Sequence, residues 1–166
     1  MSGTKSSREH LKKLVLDTSI IVEYIVSRSP YRKFLEQLLS RAEAGELSLY
    51  VCPVTLSETM YVADRIYKAA GVPNPNEEAY RLASWVHHTF NVIELDYDLL
   101  VMAAELKKTL RIALPDCFVI ASAKKIGGAA LFKKIEEEMR PVLDELRKHN
   151  ILFAQELLEQ RKAPSK

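Results

Sequence analysis

The sequence predicts an α/β domain on a mainly parallel sheet of four or five strands, and three observations carry that reading. Short β-type runs recur along the chain, most are followed by a longer segment with helical spacing, and proline or glycine marks most of the joins. Parallel neighbours need long crossovers, and helical crossovers cover both faces of the sheet.

Leu14 to Leu16 is the first β-type run and Ile20 to Val26 reads as the helix after it, which leaves Asp17 at the end of a strand. Beyond Pro30, the residues Phe34, Leu35, Leu38, Leu39 and Ala42 recur at helical spacing, and Gly45 suits the end of that helix. LSLYVC is a second strand. Pro53 can open the next helix, to about Ala70, because the first turn has no use for its missing N–H. In VPNPNEE we expect a turn, with Asn76 capping a helix through Phe90 whose stripe is Ala79, Leu82, Ala83, Val86 and Phe90. NVIEL is a third strand. Asp96 to Leu110 puts Leu99, Leu100, Ala103 and Leu106 on one face, and Pro115 starts another helix, DCFVIASAKKI, closed by Gly127 and Gly128. AALF is the fourth strand, KKIEEEMRPVLDELRKH a long charged helix with a kink or break at Pro141, and ILFA the fifth strand.

At 166 residues this is one domain, expected over residues 14–162, preceded by a flexible basic tail over residues 1–13 that lacks the apolar segment of a secretory signal. A composition of 48% hydrophobic and 28% charged residues is globular, and no apolar run reaches the roughly 18 residues of a membrane span, so no membrane partner is expected. Cys52 and Cys117 are far apart with no CxxC spacing, which excludes a zinc motif and a disulfide framework and makes a reducing cytoplasm the expected compartment. A net charge of +2 is too small to argue for nucleic acid by bulk electrostatics.

Three acids sit oddly in their surroundings. In α/β sheets ligands collect at the carboxyl ends of strands, which is where Asp17 falls. Glu58 interrupts an apolar stripe containing Val54, Tyr61 and Val62; the plain alternative is a salt bridge to Arg65. Asp116 opens a helix so apolar that it must be buried most of the way round; alone, it would serve as a partner of the helix dipole. Two carboxylates about 5 Å apart repel by roughly 3 kcal/mol at an effective dielectric near 20, so convergence of the three would require a cation or raised pKa values. An all-oxygen set without His or Cys suits a hard ion, Mg²⁺ or Mn²⁺. The adjacent His87 and His88 point about 100° apart on a helix and make no metal pair; Cys117, Trp85, Tyr80 and Tyr61 read as core or interface packing.

Three stretches, LVLDTSIIVEYI, PVTLSETMYV and LPDCFVIASAKKIGGAALF, in this order and at these intervals, resemble the PIN-domain ribonucleases, including the toxins of VapBC-type toxin–antitoxin pairs. The resemblance spans about Leu14 to Ala154. It implies a three-layer α/β/α sandwich and a Mg²⁺- or Mn²⁺-dependent endoribonuclease that hydrolyses RNA phosphodiester bonds. It also implies a homodimer and a small antitoxin as partner. Asp17, Glu58 and Asp116 match the family's first three acids as catalytic residues and metal ligands. Ser19, beside Thr18, matches the hydroxyl position that orients a carboxylate.

The chain departs from the pattern after the fourth strand, where Lys133 stands in place of the usual Thr and Ile135 lies near the expected fourth acid. Glu136 or Glu137 could serve there if the turn is rearranged; otherwise the three glutamates from Glu136 are a solvated helix start. That departure motivates the alternative of a catalytically weak or inactive module acting in RNA binding or protein assembly. Aspartyl-phosphate phosphatases also use an acid after the first strand, but they need a second Asp where this chain has Ser19.

Overall fold

The computed structural model describes residues 13–162. The expected tail lies outside the described residues except for Lys13, which opens the first strand. Five strands form one sheet: β1 (Lys13–Leu16), β2 (Ser48–Val51), β3 (Asn91–Val92), β4 (Ala129–Phe132) and β5 (Ile151–Phe153), in the order β3-β2-β1-β4-β5. Each pair is parallel, with Val15 opposite Tyr50 on one side and Ala130 on the other. The α/β class and parallel sheet expected from the sequence are therefore present.

Alternation along the strands sorts the core into two layers. Val15, Ala130 and Phe132 point to one face, where they pack with Leu99, Ala103, Leu106, Val119 and Ile120. Leu14, Leu16, Leu49, Val51 and Leu131 point to the other, against Ile20, Phe34, Leu35, Leu38, Val86 and Phe90. Helices cover both faces: α1 (Thr18–Ile21), α2 (Pro30–Glu43), α3 (Pro53–Ala69), α4 (Pro75–Thr89), α5 (Tyr97–Leu110), α6 (Leu114–Ile126), α7 (Leu143–Leu146) and α8 (Ala154–Lys162). The result is a three-layer α/β/α sandwich. α3 and α4 form a hairpin with a small apolar cluster of its own, Ala63, Ala79 and Leu82.

Several boundaries shift for local reasons. Asn74, not Asn76, precedes α4, because Pro75 fits the first helical turn. NVIEL pairs only through Asn91–Val92, with the Ile93 N–H still donating to the Val51 carbonyl at 3.0 Å. The helix expected at 20–26 begins earlier, at Thr18, and tightens into a 3₁₀ turn over Val22–Ile25. After β5 the chain adds α8, which the sequence reading left out.

The largest correction concerns residues 133–149, which do not form a long helix. Pro141 has no N–H to reach the Glu137 carbonyl, so the chain makes a 3₁₀ turn over Glu137–Val142 and then the short α7. The bend buries Met139 and Leu146 against the first core layer and frees the glutamates before it from helical spacing.

Gly128 enters β4 beside β1 so closely that a Cβ there would lie 2.6 Å from the Lys13 carbonyl oxygen. Gly128→Ala should destabilise the fold by about 1–3 kcal/mol, the usual cost of overpacking against backbone. Urea unfolding is the measurement; an unchanged midpoint would mean that β1 and β4 separate without cost.

Candidate metal centre

The sheet reverses its build direction between β1 and β4: the chain steps outward from β1 through β2 to β3, then returns to the other side of β1. Crevices at such a switch point collect ligands. Asp17 stands there, its N–H donating to the Leu131 carbonyl at 3.0 Å as the last bond between the two strands' ends. Its side chain is 5% exposed. One carboxylate oxygen accepts from the Ser19 N–H at 2.9 Å.

Glu58 lies in the second turn of α3 and reaches back to α1, where the Thr18 hydroxyl donates to it at 3.0 Å. The salt bridge to Arg65 does not form; Arg65 turns to Tyr61 instead. Thr18 is buried and also lies 3.4 Å from the Thr55 carbonyl, so it ties the start of α1 to the start of α3. Of these two adjacent residues, Thr18 thus holds Glu58 by its hydroxyl and Ser19 holds Asp17 by its N–H.

Asp116 occupies the first turn of α6, whose residues Cys117 to Ala123 are all buried. A carboxylate that served the helix dipole alone would be pulled below its ordinary range. Asp116 is pushed up to about 8, first by burial and then by the negative charges of Asp17, Glu136, Glu138 and Glu58. Asp17 is raised as well, by burial and to a smaller degree by Glu58, against the opposing hydrogen bonds from Ser19. Burial also lifts the Cys117 thiol, with Asp116 adding to the effect, to about 11, so the thiol stays protonated and serves as packing.

The bend at Pro141 brings further acids to Asp116. One carboxylate oxygen from each of Asp116, Glu136 and Glu138 lies within 4.8 Å of the other two. Glu138 is held by the Ala113 N–H at 2.9 Å, just ahead of α6. Of the two acids considered for the fourth position, Glu136 joins this group and Glu137 does not. Glu138 was read only as part of a solvated helix start; the break at Pro141 was expected, but the fold that turns Glu138 toward Asp116 is a tertiary feature. Lys133 takes the place of the usual Thr, its N–H donating to the Ser19 hydroxyl at 3.2 Å and its ammonium bonding the buried Glu23 at 2.6 Å.

Residues 14–134 match the family model described as PIN domain. The chain belongs to the PIN domain family. Comparison with curated proteins finds no match. Among solved structures, this PIN domain is similar to DNA-bound VapBC from Salmonella typhimurium, with 15% identity, TM-score 0.60, and 86% of this chain and 98% of that one covered. It is also similar to VapBC-1 from nontypeable Haemophilus influenzae, with 15% identity, TM-score 0.58, and 85% and 97% covered. A third is VapBC2 from Rickettsia felis bound to a DNA fragment from their promoter, with 17% identity, TM-score 0.56, and 77% and 92% covered. At this identity the likeness is one of fold.

The donor set of the PIN domain fits a hard divalent cation. Asp116, Glu136 and Glu138 bring only oxygens to one place, while Asp17 and Glu58 do not join that close group but add their charge to it; Asp116 is pushed up to about 8 and Asp17 is raised, the strain a cation relieves. A carboxyl that binds its proton more tightly folded than unfolded contributes stability at acid pH and loses it as pH rises. Without divalent ions, the thermal midpoint should therefore fall from about pH 5 to about pH 8. Asp116→Asn, which cannot ionise, should flatten that slope; an identical slope in the variant would assign the lost protons elsewhere.

Proposed function

We propose that this PIN domain is a divalent-metal-dependent endoribonuclease, with Mg²⁺ or Mn²⁺ as cofactor, and the toxin of a toxin–antitoxin pair. The observation that carries the reading is the set of carboxyl groups at the switch point, where Asp116, with Asp17 beside it, keeps its proton near neutral pH. Nothing in the packing requires so much negative charge in one place, whereas a nuclease acting on a phosphodiester needs it to hold cations.

In this reading Asp17, Glu58 and Asp116 are the ligands and catalytic acids, and Glu136 with Glu138 completes the oxygen set. When bound, a divalent cation offsets charge on the phosphodiester and makes nearby water more acidic. The chain's own residues do the positioning. Ser19 fixes the Asp17 carboxylate, Thr18 fixes Glu58, and the Ala113 N–H fixes Glu138. Because Asp116 is pushed up to about 8 when metal-free, loading releases a proton, and metal should bind more tightly as pH rises.

The VapBC complexes among the similar folds support a small antitoxin as partner, and the family likeness supports a homodimer. No helix among the described residues is long and apolar enough to cross a membrane, and both cysteines are free and buried. These observations fit action on RNA in a reducing cytoplasm. The alternative of an inactive module rested on the missing fourth acid, and Glu136 and Glu138 beside Asp116 weigh against it.

Purified protein should cleave unstructured RNA with Mn²⁺ or Mg²⁺, and Asp17→Asn should reduce cleavage to background. Wild type and variant equally inert, or equally active, would sink the catalytic reading. Thr18→Val removes the hydroxyl that holds Glu58 while nearly conserving shape, and should cost about 10–100-fold in metal affinity or activity. Calorimetric titration with Mn²⁺ reads the affinity directly.

A further inference from the structure

α3 carries more than Glu58 on its exposed side. Tyr61 follows three residues later and Arg65 four beyond that, so the three share one face, with Tyr61 and Arg65 about 4.5 and about 10 Å along the axis from Glu58. Tyr61 is not buried in the core: the residue is 61% exposed in the single chain, whereas Trp85 stacks on Tyr24 at 4.4 Å. The Arg65 guanidinium lies 5.6 Å from the Tyr61 ring centroid and donates to its phenol oxygen at 3.3 Å. Arg32, Arg41, Arg81 and Arg147 pair with glutamates. Arg65, like Arg28, Arg111, Arg140 and Arg161, has no carboxylate partner among the described residues; its neighbour Asp64 is taken by Lys68.

An exposed ring in contact with a cation free of carboxylates lies on the same helix face as Glu58. The acids repel a phosphodiester chain, so a strand held there needs an attractive contact at the flank. A tyrosine face accepts any base, and an arginine supplies the charge for the adjoining phosphate. Their mutual contact restrains both side chains before a ligand arrives, which lowers the ordering cost of binding.

We propose that Tyr61 and Arg65 form a nucleotide-holding ledge beside the metal centre. Tyr61 stacks a base of single-stranded RNA next to the scissile bond, and Arg65 contacts the phosphate beside it. This rests on the nuclease reading and adds to it the means by which an unpaired strand is held in place. Both residues are positioning residues for substrate.

The test uses the full chain and a fluorescent short oligouridylate, with binding measured in the Asp17→Asn background so that cleavage does not interfere. Tyr61→Ala should weaken binding about 5- to 100-fold, the loss of one base stack, and Tyr61→Phe, which keeps the ring, should restore most of it. Arg65→Ala should weaken binding and reduce the salt dependence by about one counterion. In the active protein, Tyr61→Ala should raise KM far more than it lowers kcat, with the thermal midpoint unchanged because the ring is exposed. If Tyr61→Ala leaves both binding and KM unchanged while Asp17→Asn still abolishes cleavage, the ledge is overturned and the nuclease stands. If wild type and Asp17→Asn are equally inert, the nuclease reading falls and the ledge with it.

Discussion

The site is organised around the cost of keeping the Asp17 carboxylate dry at the point where β1 and β4 part. Its backbone completes the strand pairing, so the residue cannot move outward to solvent without loosening the two central strands. Its side chain is buried, and a buried carboxylate takes up a proton, finds hydrogen-bond donors or gains a cation. Ser19 supplies donors but does not outweigh burial, and the group remains raised.

That cost spreads through the neighbours. Asp116 and Glu58 arrive from two other helices, and the Glu58 charge makes both Asp17 and Asp116 harder to ionise. Rigid supports hold the group together despite the repulsion: Thr18 bridges α1 to Glu58, the apolar body of α6 anchors Asp116, and the N–H of Ala113 catches Glu138. Preorganised in this way, the oxygens are costly without a cation and suited to one.

Lys133 shows how a departure from the family pattern is accommodated. A lysine directly after β4 could place its ammonium among the acids and take over the cation's role. It is drawn instead to Glu23, a buried acid in the 3₁₀ turn after α1, and lies 5.9 Å from the Tyr31 ring centroid. Its backbone N–H still contacts Ser19, so the pairing around Asp17 continues where a threonine would ordinarily stand. Farther along the chain, before the break at Pro141, Glu136 and Glu138 come within 4.8 Å of Asp116.

How much was legible in the sequence depended on the range of the physics involved. Short apolar runs such as LVL and AALF, proline at the starts of α3 and α6 and glycine after α2 and α6 are local signals, and they determined the α/β class, the parallel sheet and the placement of Asp17 and Asp116 at element ends. Glu58 was visible as an acid breaking an apolar stripe. Which way Glu58 turned was decided by Thr18, 40 residues earlier in the chain. The grouping of Glu136 and Glu138 with Asp116, and the pairing of Lys133 with Glu23, belong to tertiary structure alone. Charge repulsion and burial act through space between segments remote in sequence, and no local pattern records them.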